Sequence, residues 1–407
     1  MLNKVFIQVK NIVTELTHCF FTLVDMKHEK NELQTEQRRT VLQRILAISA
    51  AAMLAPTAVR AQPIRPWVIA QIVDTTAQQQ DVSKDYLIGS RAAWQEINAK
   101  GGLQGRPVKH LSIETDGSAT SLRAALDSAQ SITSCVAISG TAGDRTAQAL
   151  TNLLRAERSG LAHVAPWLQN ASNELDDTTF AIFADRQTQI SHIVKSLSLV
   201  GTKDLGVIYA SPQEYALYRA DIERSAQRMG MQISSSPPTH DLKSVGQKLA
   251  ATSPAVQLFV GGTPELAQLT SGLEQQSRQR YVLALADVNL QTMKEMGAAR
   301  QTPVFAAQTV PMVNSSLPVV RAYRAAMSKY FDEPANPLSL AGYIAARYTF
   351  EVLNRVGAGL NRQTALAAFQ KRESADVGGF IVSYNAAGRG SQFVTQSMLG
   401  KDGYTVG

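Results

Sequence analysis

Cysteine is nearly absent from this chain. Of 407 residues only Cys19 and Cys135 carry a thiol, and Cys19 falls in the leading segment 1–61. One remaining thiol excludes an intramolecular disulfide framework and a cysteine-rich metal site. Inside the apolar run Cys135-Val136-Ala137-Ile138 it reads as a small buried hydrophobe. Histidine is scarce too: His18, His28, His110, His163, His192 and His240 are scattered without metal-ligand spacing, so no metal is expected. No G-x-G-x-x-G follows a strand, and there is no Walker lysine loop, G-x-S-x-G elbow or H-E-x-x-H. Gly357-Ala358-Gly359 follows a helical stretch, the place for a C-cap rather than a phosphate cradle. No cofactor is expected, and nothing calls for an enzyme, although a triad assembled from distant residues leaves no local motif. A basic block with interleaved aromatics is also missing. The formal charge is +7, but removing residues 1–61 leaves 32 Lys/Arg against 28 Asp/Glu, which gives no footing for nucleic acid.

The leading segment has its own logic. Gln37-Arg38-Arg39-Thr40-Val41-Leu42 precedes the apolar run from Ile45 to Ala55, which is too short to span a bilayer comfortably. Pro56 and then Val59-Arg60-Ala61 follow, with small residues where a signal peptidase reads them. A charged region, an apolar region and a small-residue site in that order form a signal peptide, with cleavage expected after Ala61 and the mature chain in the periplasm. The paired arginines suggest the Tat route. Residues 1–25 make a long preamble, and Met26 is the expected true start.

From Gln62 onward, short β-branched runs alternate with amphipathic stretches. Strands are expected at 67–73, 108–115, 136–139 and 161–165, with helices at 83–99, 118–131 and 145–157. The rhythm restarts with strands at 205–209, 257–260 and 281–285 and helices at 214–229 and 264–277. Such alternation specifies an α/β fold with parallel sheets flanked by helices, here in two similar lobes. Longer helices are expected at 317–331 and 338–356, and a shorter one at 361–370. Phe380–Tyr384 and Phe393–Met398 read as paired strands around Asn385-Ala386-Ala387-Gly388.

Several segments resemble a known family. Gly89-Ser90-Arg91-Ala92-Ala93-Trp94-Gln95-Glu96-Ile97-Asn98-Ala99-Lys100-Gly101-Gly102-Leu103-Gln104-Gly105 looks like the first helix and hairpin of type I periplasmic binding proteins. It resembles in particular the leucine/isoleucine/valine-binding proteins of ABC importers. Asp116, Gly140, Pro166, Val260-Gly261-Gly262-Thr263-Pro264-Glu265 and Ala341-Gly342-Tyr343 follow in matching order, so the resemblance covers nearly all of 62–407. Physically, the first-helix motif is scaffold: Gly101 and Gly102 permit the positive φ that ends the helix. The resemblance implies two Rossmann-like lobes joined by a hinge, with lobe 1 at 62–185 and about 318–356 and lobe 2 at 186–317 and about 357–407. It also implies a monomer that closes around a small-molecule solute, then docks on an ABC permease in the membrane, without catalysis. A ligand-sensing receptor or regulator of the same fold, and an α/β enzyme, stay open as alternatives.

In open α/β lobes the ligand sits beyond the carboxyl ends of the strands. In the resembling family a loop hydroxyl and backbone N–H groups at a helix N-terminus hold a ligand carboxylate, a sound use of orphan donors and the helix dipole. Here the segment is Gly140-Thr141-Ala142-Gly143-Asp144-Arg145-Thr146, with Asp144 about where the family serine is expected. A carboxylate there repels a ligand carboxylate unless Arg145 or Thr146 compensates. Otherwise Asp144 is simply the cap of the helix that follows. Trp167, where the family has small residues, is expected either as a flat wall for an aromatic or unsaturated ligand or as packing between loop and lobe. Tyr215 matches a family tyrosine lining the second lobe, and Thr263 a ligand-proximal position. Asp287 stands near the family's acid for an ammonium group, or caps a helix. The expected ligand is a small polar or aromatic solute.

Overall fold

The computed structural model describes residues 65–170, 177–239 and 241–400, together with the backbone of 405–406. The export segment, the Ala61 cleavage site and His240 lie outside the described residues. The chain divides into Met1–Pro63 and Ile64–Gly407, and everything described belongs to the second unit.

The first sheet begins with β1 (Trp67–Asp74), whose residues after Trp67 are all buried. Both faces of WVIAQIVD are covered, as in a parallel strand sandwiched by helices. On one face Ile69 packs with α1 (Gln80–Ala99). On the other, Val68, Ala70 and Ile72 pack with α2 (Ala119–Ser131) and α3 (Asp144–Glu157). Together with β2 (Val108–Thr115), β3 (Cys135–Ser139), β4 (Ala162–Val164) and β5 (Thr179–Phe180), β1 makes an all-parallel sheet of order β2-β1-β3-β4-β5. Cys135 is buried at the start of β3, as expected of a small hydrophobe.

The second sheet repeats the plan. The strands β6 (Asp204–Tyr209), β7 (Gln232–Ser235), β8 (Val256–Val260), β9 (Tyr281–Ala284) and β10 (Val304–Gln308) run parallel in the order β7-β6-β8-β9-β10. On one face lie α4 (Arg186–Leu199) and α5 (Pro212–Arg228). On the other lie α6 (Leu242–Lys248), α7 (Thr263–Leu273) and α8 (Leu290–Glu295). In each sheet the strand order reverses once, between β1 and β3 and between β6 and β8. Crevices at such switch points are where this architecture places ligands.

The chain then returns to the first sheet through α9 (Pro318–Tyr330) and α10 (Pro337–Val356). Here α10 lies against α1 with their backbones in near contact. A Cβ on Gly342 would come within 1.9 Å of the Tyr86 carbonyl, and one on Gly89 within 1.7 Å of the Ser339 carbonyl. Only glycine permits this approach.

Two sequence expectations are corrected in the last stretch. The expected return to lobe 2 at about 357 does not occur there, because residues 357–382 pack on the first sheet. Arg362 of α11 (Arg362–Gln370) donates from Nε to the Cys135 carbonyl at 2.8 Å, and Phe369 packs on Phe180. The paired strands expected around Asn385–Gly388 do not form. Phe380–Val382 (β12) pairs instead with Ala375–Val377 (β11). Gly378 and Gly379, at φ +61° and +94°, make the two-residue turn between them. Positive φ at both positions is what a tight hairpin needs. The strand β13 (Thr395–Leu399) runs antiparallel to β10 and carries β14 (Thr405–Val406) at its outer side.

Candidate functional site

Both switch points open on one cleft between the two sheets. It holds a cavity of about 650 Å³, lined from the first lobe by the loops after β1, β2 and β3 and from the second by the loops after β6, β8 and β9. Asp144, Arg145, Thr146 and Asp287 line it; Trp167, Tyr215 and Thr263 do not.

Asp144 is not the helix cap. Gly143 occupies the cap at φ +97°, and Asp144 is the first residue of α3. Its Oδ1 instead accepts the backbone N–H of Gln169 at 2.7 Å and of Asn170 at 3.1 Å. The carboxylate thus occupies loop donors of the kind that would otherwise serve an incoming anion. Burial pushes the Asp144 carboxyl upward, Arg186 counters this, and nearby Asp287 adds to it. Thr146 donates its hydroxyl to Asp74 Oδ2 at 2.6 Å, fixing the end of β1 to the start of α3. Exposed Arg145 reaches across to Gln213 Oε1 of the other lobe at 3.4 Å.

Arg186 opens α4 where the chain first crosses between lobes, just after the Asp185 cap. Its Nε donates to Asp287 Oδ2 at 2.9 Å, its Nη1 to the Tyr218 hydroxyl at 3.1 Å, and its Nη2 lies 3.9 Å from Asp144 Oδ2. Burial works against the Arg186 charge, but Asp287 and then Asp144 hold it firmly protonated. Asp287 therefore faces a guanidinium. It is not a cap either, because Asn289 caps α8 through Gln291 and Thr292.

Trp167 is 1% exposed, with its ring packed edge-on against Tyr86 at 5.7 Å and tilted on Phe183 at 5.4 Å. Only its Nε1 reaches out, to Asp287 Oδ1 at 3.2 Å. The indole belongs to the core of the first lobe and offers no flat wall to the cavity, because three aromatic rings already share that space. Tyr215 stacks edge-on against Tyr209 at 5.1 Å, packs on the core of the second lobe and accepts from Arg219 Nη1 at 2.6 Å. One turn later Tyr218 takes the place beside Arg186. Thr263 is buried and accepts the Asn289 N–H at 2.9 Å, and its hydroxyl bonds Asp81 of the opposite lobe. Asp85 joins it across the cleft, accepting from Asn289 Nδ2 at 2.7 Å.

Several residues that build the cleft lie outside the sequence expectations. Arg186 and Gln189 sit on the buried face of α4; Gln189 bonds Gln169 on one side and accepts the Ala286 N–H at 2.9 Å on the other. Arg389 reaches back to donate to the Leu168 carbonyl at 2.6 Å and the Asn170 carbonyl at 2.9 Å. It props the same loop that Asp144 holds by its N–H groups. A signal for Arg186 existed: a charged pair, Asp185-Arg186, closing the apolar run from Phe180 to Ala184.

Two sheets, a shared cleft at both switch points and three chain crossings match a known plan. The sequence profile of the periplasmic binding protein family matches residues 66–402. The chain belongs to the periplasmic binding protein family. The fold is its type I form. Solved structures of similar shape include an extracellular ligand-binding receptor from Verminephrobacter eiseniae, at TM-score 0.74 and 19% identity, covering 84% of this chain and 99% of that one. A leucine-binding protein, LivK, from Thermotoga maritima gives TM-score 0.70 and 17% identity, covering 83% and 97%. A fatty acid ABC transporter substrate-binding protein from Thermomonospora curvata gives 0.70 and 16%, covering 84% and 91%. At these identities the likeness shows the fold alone. Among curated proteins, none matches the sequence. The family is one of extracytoplasmic solute-binding proteins and receptors, not of enzymes. Among the described residues, no helix is long and apolar enough to cross a membrane.

Proposed function

We propose that this periplasmic binding protein is the solute-capturing component of an ABC importer of the branched-chain amino acid type. It takes a small polar solute between its lobes and presents the closed form to a membrane permease. The carrying observation is the cavity of about 650 Å³, lined by both lobes at the carboxyl ends of their strands. Its size lies within the range of small-molecule sites. Residues of both lobes that bond directly across the cleft, Trp167 with Asp287 and Asp85 with Asn289, supply the latch of a closed state. The solved structures named for leucine and for fatty acid binding show that one scaffold serves unlike solutes, so the solute must be argued from this chain's own residues. Asp144 occupying the loop N–H groups disfavours free leucine, isoleucine or valine. The packing of Trp167 removes the support for aromatic stacking, which leaves the polar half of the expectation. Export by the signal-like segment, by the Tat route, into the periplasm and action as a monomer complete the reading. A thermal-shift screen of small solutes tests it: at least one class should raise the melting temperature in a saturable way. A screen spanning amines, amides, amino acids, carboxylates and sugars with no saturable shift would overturn it.

A further inference from the structure

We propose that the cleft selects positively charged solutes, small organic amines or guanidines that carry no carboxylate. This names the solute class for the site above and rests on the solute-binding reading. Six carboxylates line the main cavity, Asp74, Asp116, Asp144, Glu214, Glu265 and Asp287, against two guanidinium groups, Arg145 and Arg186. Arg186 is committed to Asp287, with Asp144 at 3.9 Å on its other side. Arg145 is exposed and turned toward Gln213. Residues 62–407 carry a slight positive excess, 32 Lys/Arg against 28 Asp/Glu, so this negative cleft is a local feature. Walls of low dielectric concentrate such a field and draw in counter-ions.

Donors that would greet a carboxylate are already used. The Gln169 and Asn170 N–H groups go to Asp144, and the Trp167 indole N–H goes to Asp287. A zwitterionic amino acid would find its anionic end facing acceptors, and its cationic end competing with Arg186 for Asp287.

A second cavity between the same lobes supplies an independent observation. It holds about 460 Å³, shares Asp74 with the first, and adds Asp81, Asp85, Glu114, Glu295 and Glu333 against Lys84 alone. Lys84 lies 3.7 Å from Glu333. Ser83, 1% exposed, lines this cavity with its Oγ lacking any hydrogen-bond partner, and Asp81 Oδ2 is buried in the same condition. Buried polar atoms in native proteins are almost always satisfied; the serine hydroxyl can itself donate, but the Asp81 oxygen needs a donor, which an ammonium or guanidinium supplies. The carboxylates are spread along the cleft, and among the described residues none are grouped as a metal ion requires.

The test is calorimetric titration of the mature chain with putrescine and agmatine, with 1,4-butanediol as the uncharged counterpart of putrescine, and with leucine and glutarate. The same titrations on Glu265→Gln and Asp85→Asn place the binding in the cleft. Putrescine or agmatine should bind at least about tenfold tighter than the diol, the difference between a charge-assisted and a neutral hydrogen bond, and at least one substitution should weaken it. Equal or tighter binding of the diol, leucine or glutarate would overturn the cation assignment and leave the solute-binding reading standing. Cation binding untouched by both substitutions would also overturn it. Silence from these probes and from the wider thermal-shift screen would overturn both readings together.

Discussion

Asp144→Ser isolates the feature that most sets this cleft apart. The substitution removes an acceptor from two buried N–H groups, those of Gln169 and Asn170. Each unsatisfied buried donor costs about 1–3 kcal/mol. Removing a buried carboxylate that lies near Asp287 gives part of this back, since burial and Asp287 both disfavour its charge. Losing the attraction to Arg186, 3.9 Å away, offsets part of that gain, although Asp287 still holds the guanidinium. The net loss is about 2 kcal/mol, or roughly 3 °C in melting temperature for a protein of this size. The vacated N–H groups, the first turn of α3 and Arg186 then make a place for a ligand carboxylate. Differential scanning fluorimetry should show the variant melting lower than the parent and regaining stability with leucine, which leaves the parent unmoved. An unchanged melting temperature, or no response of the variant to leucine at millimolar concentration, would refute the reasoning.

Three further changes probe the scaffold. Burial raises the Asp85 carboxyl from 3.8 to about 6, with Asn289 and Lys84 opposing and Asp81 and Glu333 adding. Its contribution to stability is fully present below pH 3.8 and is lost as pH rises through about 6. Asp85→Asn should therefore gain on the parent between pH 4 and 7, by about 2 kcal/mol after allowance for screening; a pH-independent difference in melting temperature would count against this. Arg389→Ala leaves the Leu168 and Asn170 carbonyls without their donor, which should cost about 2–5 kcal/mol and speed amide exchange across 166–170. Unaltered exchange there would show that Arg389 does not prop the loop. Gly378→Ala places a Cβ at φ +61°, within 2.8 Å of the Val319 nitrogen, and should cost more than about 1 kcal/mol; a neutral result in urea unfolding would mean the β11–β12 turn tolerates another geometry.

The parts of the fold that were legible in the sequence are those with clean periodicity. The β1 run and the amphipathic α1 announced themselves, and Gly101 and Gly102 do adopt positive φ, at +103° and +73°. The α4 helix was not foreseen because its buried face carries Arg186 and Gln189, which blur the apolar stripe. The β11–β12 hairpin is not legible because a three-residue strand carries almost no pattern, and Asn385–Gly388 is an equally good turn signal a few residues beyond Gly378-Gly379. At the site, chain order placed Asp144, Arg145, Thr146 and Asp287 on the cleft. Trp167, Tyr215 and Thr263 do not line the cavity, since sequence position cannot tell which way a side chain points. Arg389 meets its partners across more than two hundred residues, a contact that only the folded chain creates.

Small-angle scattering tests the central claim, that two lobes close over one solute. The mature chain is measured alone and at saturation with a solute whose occupancy calorimetry has established. The account predicts a smaller radius of gyration and a shorter maximum dimension in the bound state. Identical profiles at proven saturation would contradict it.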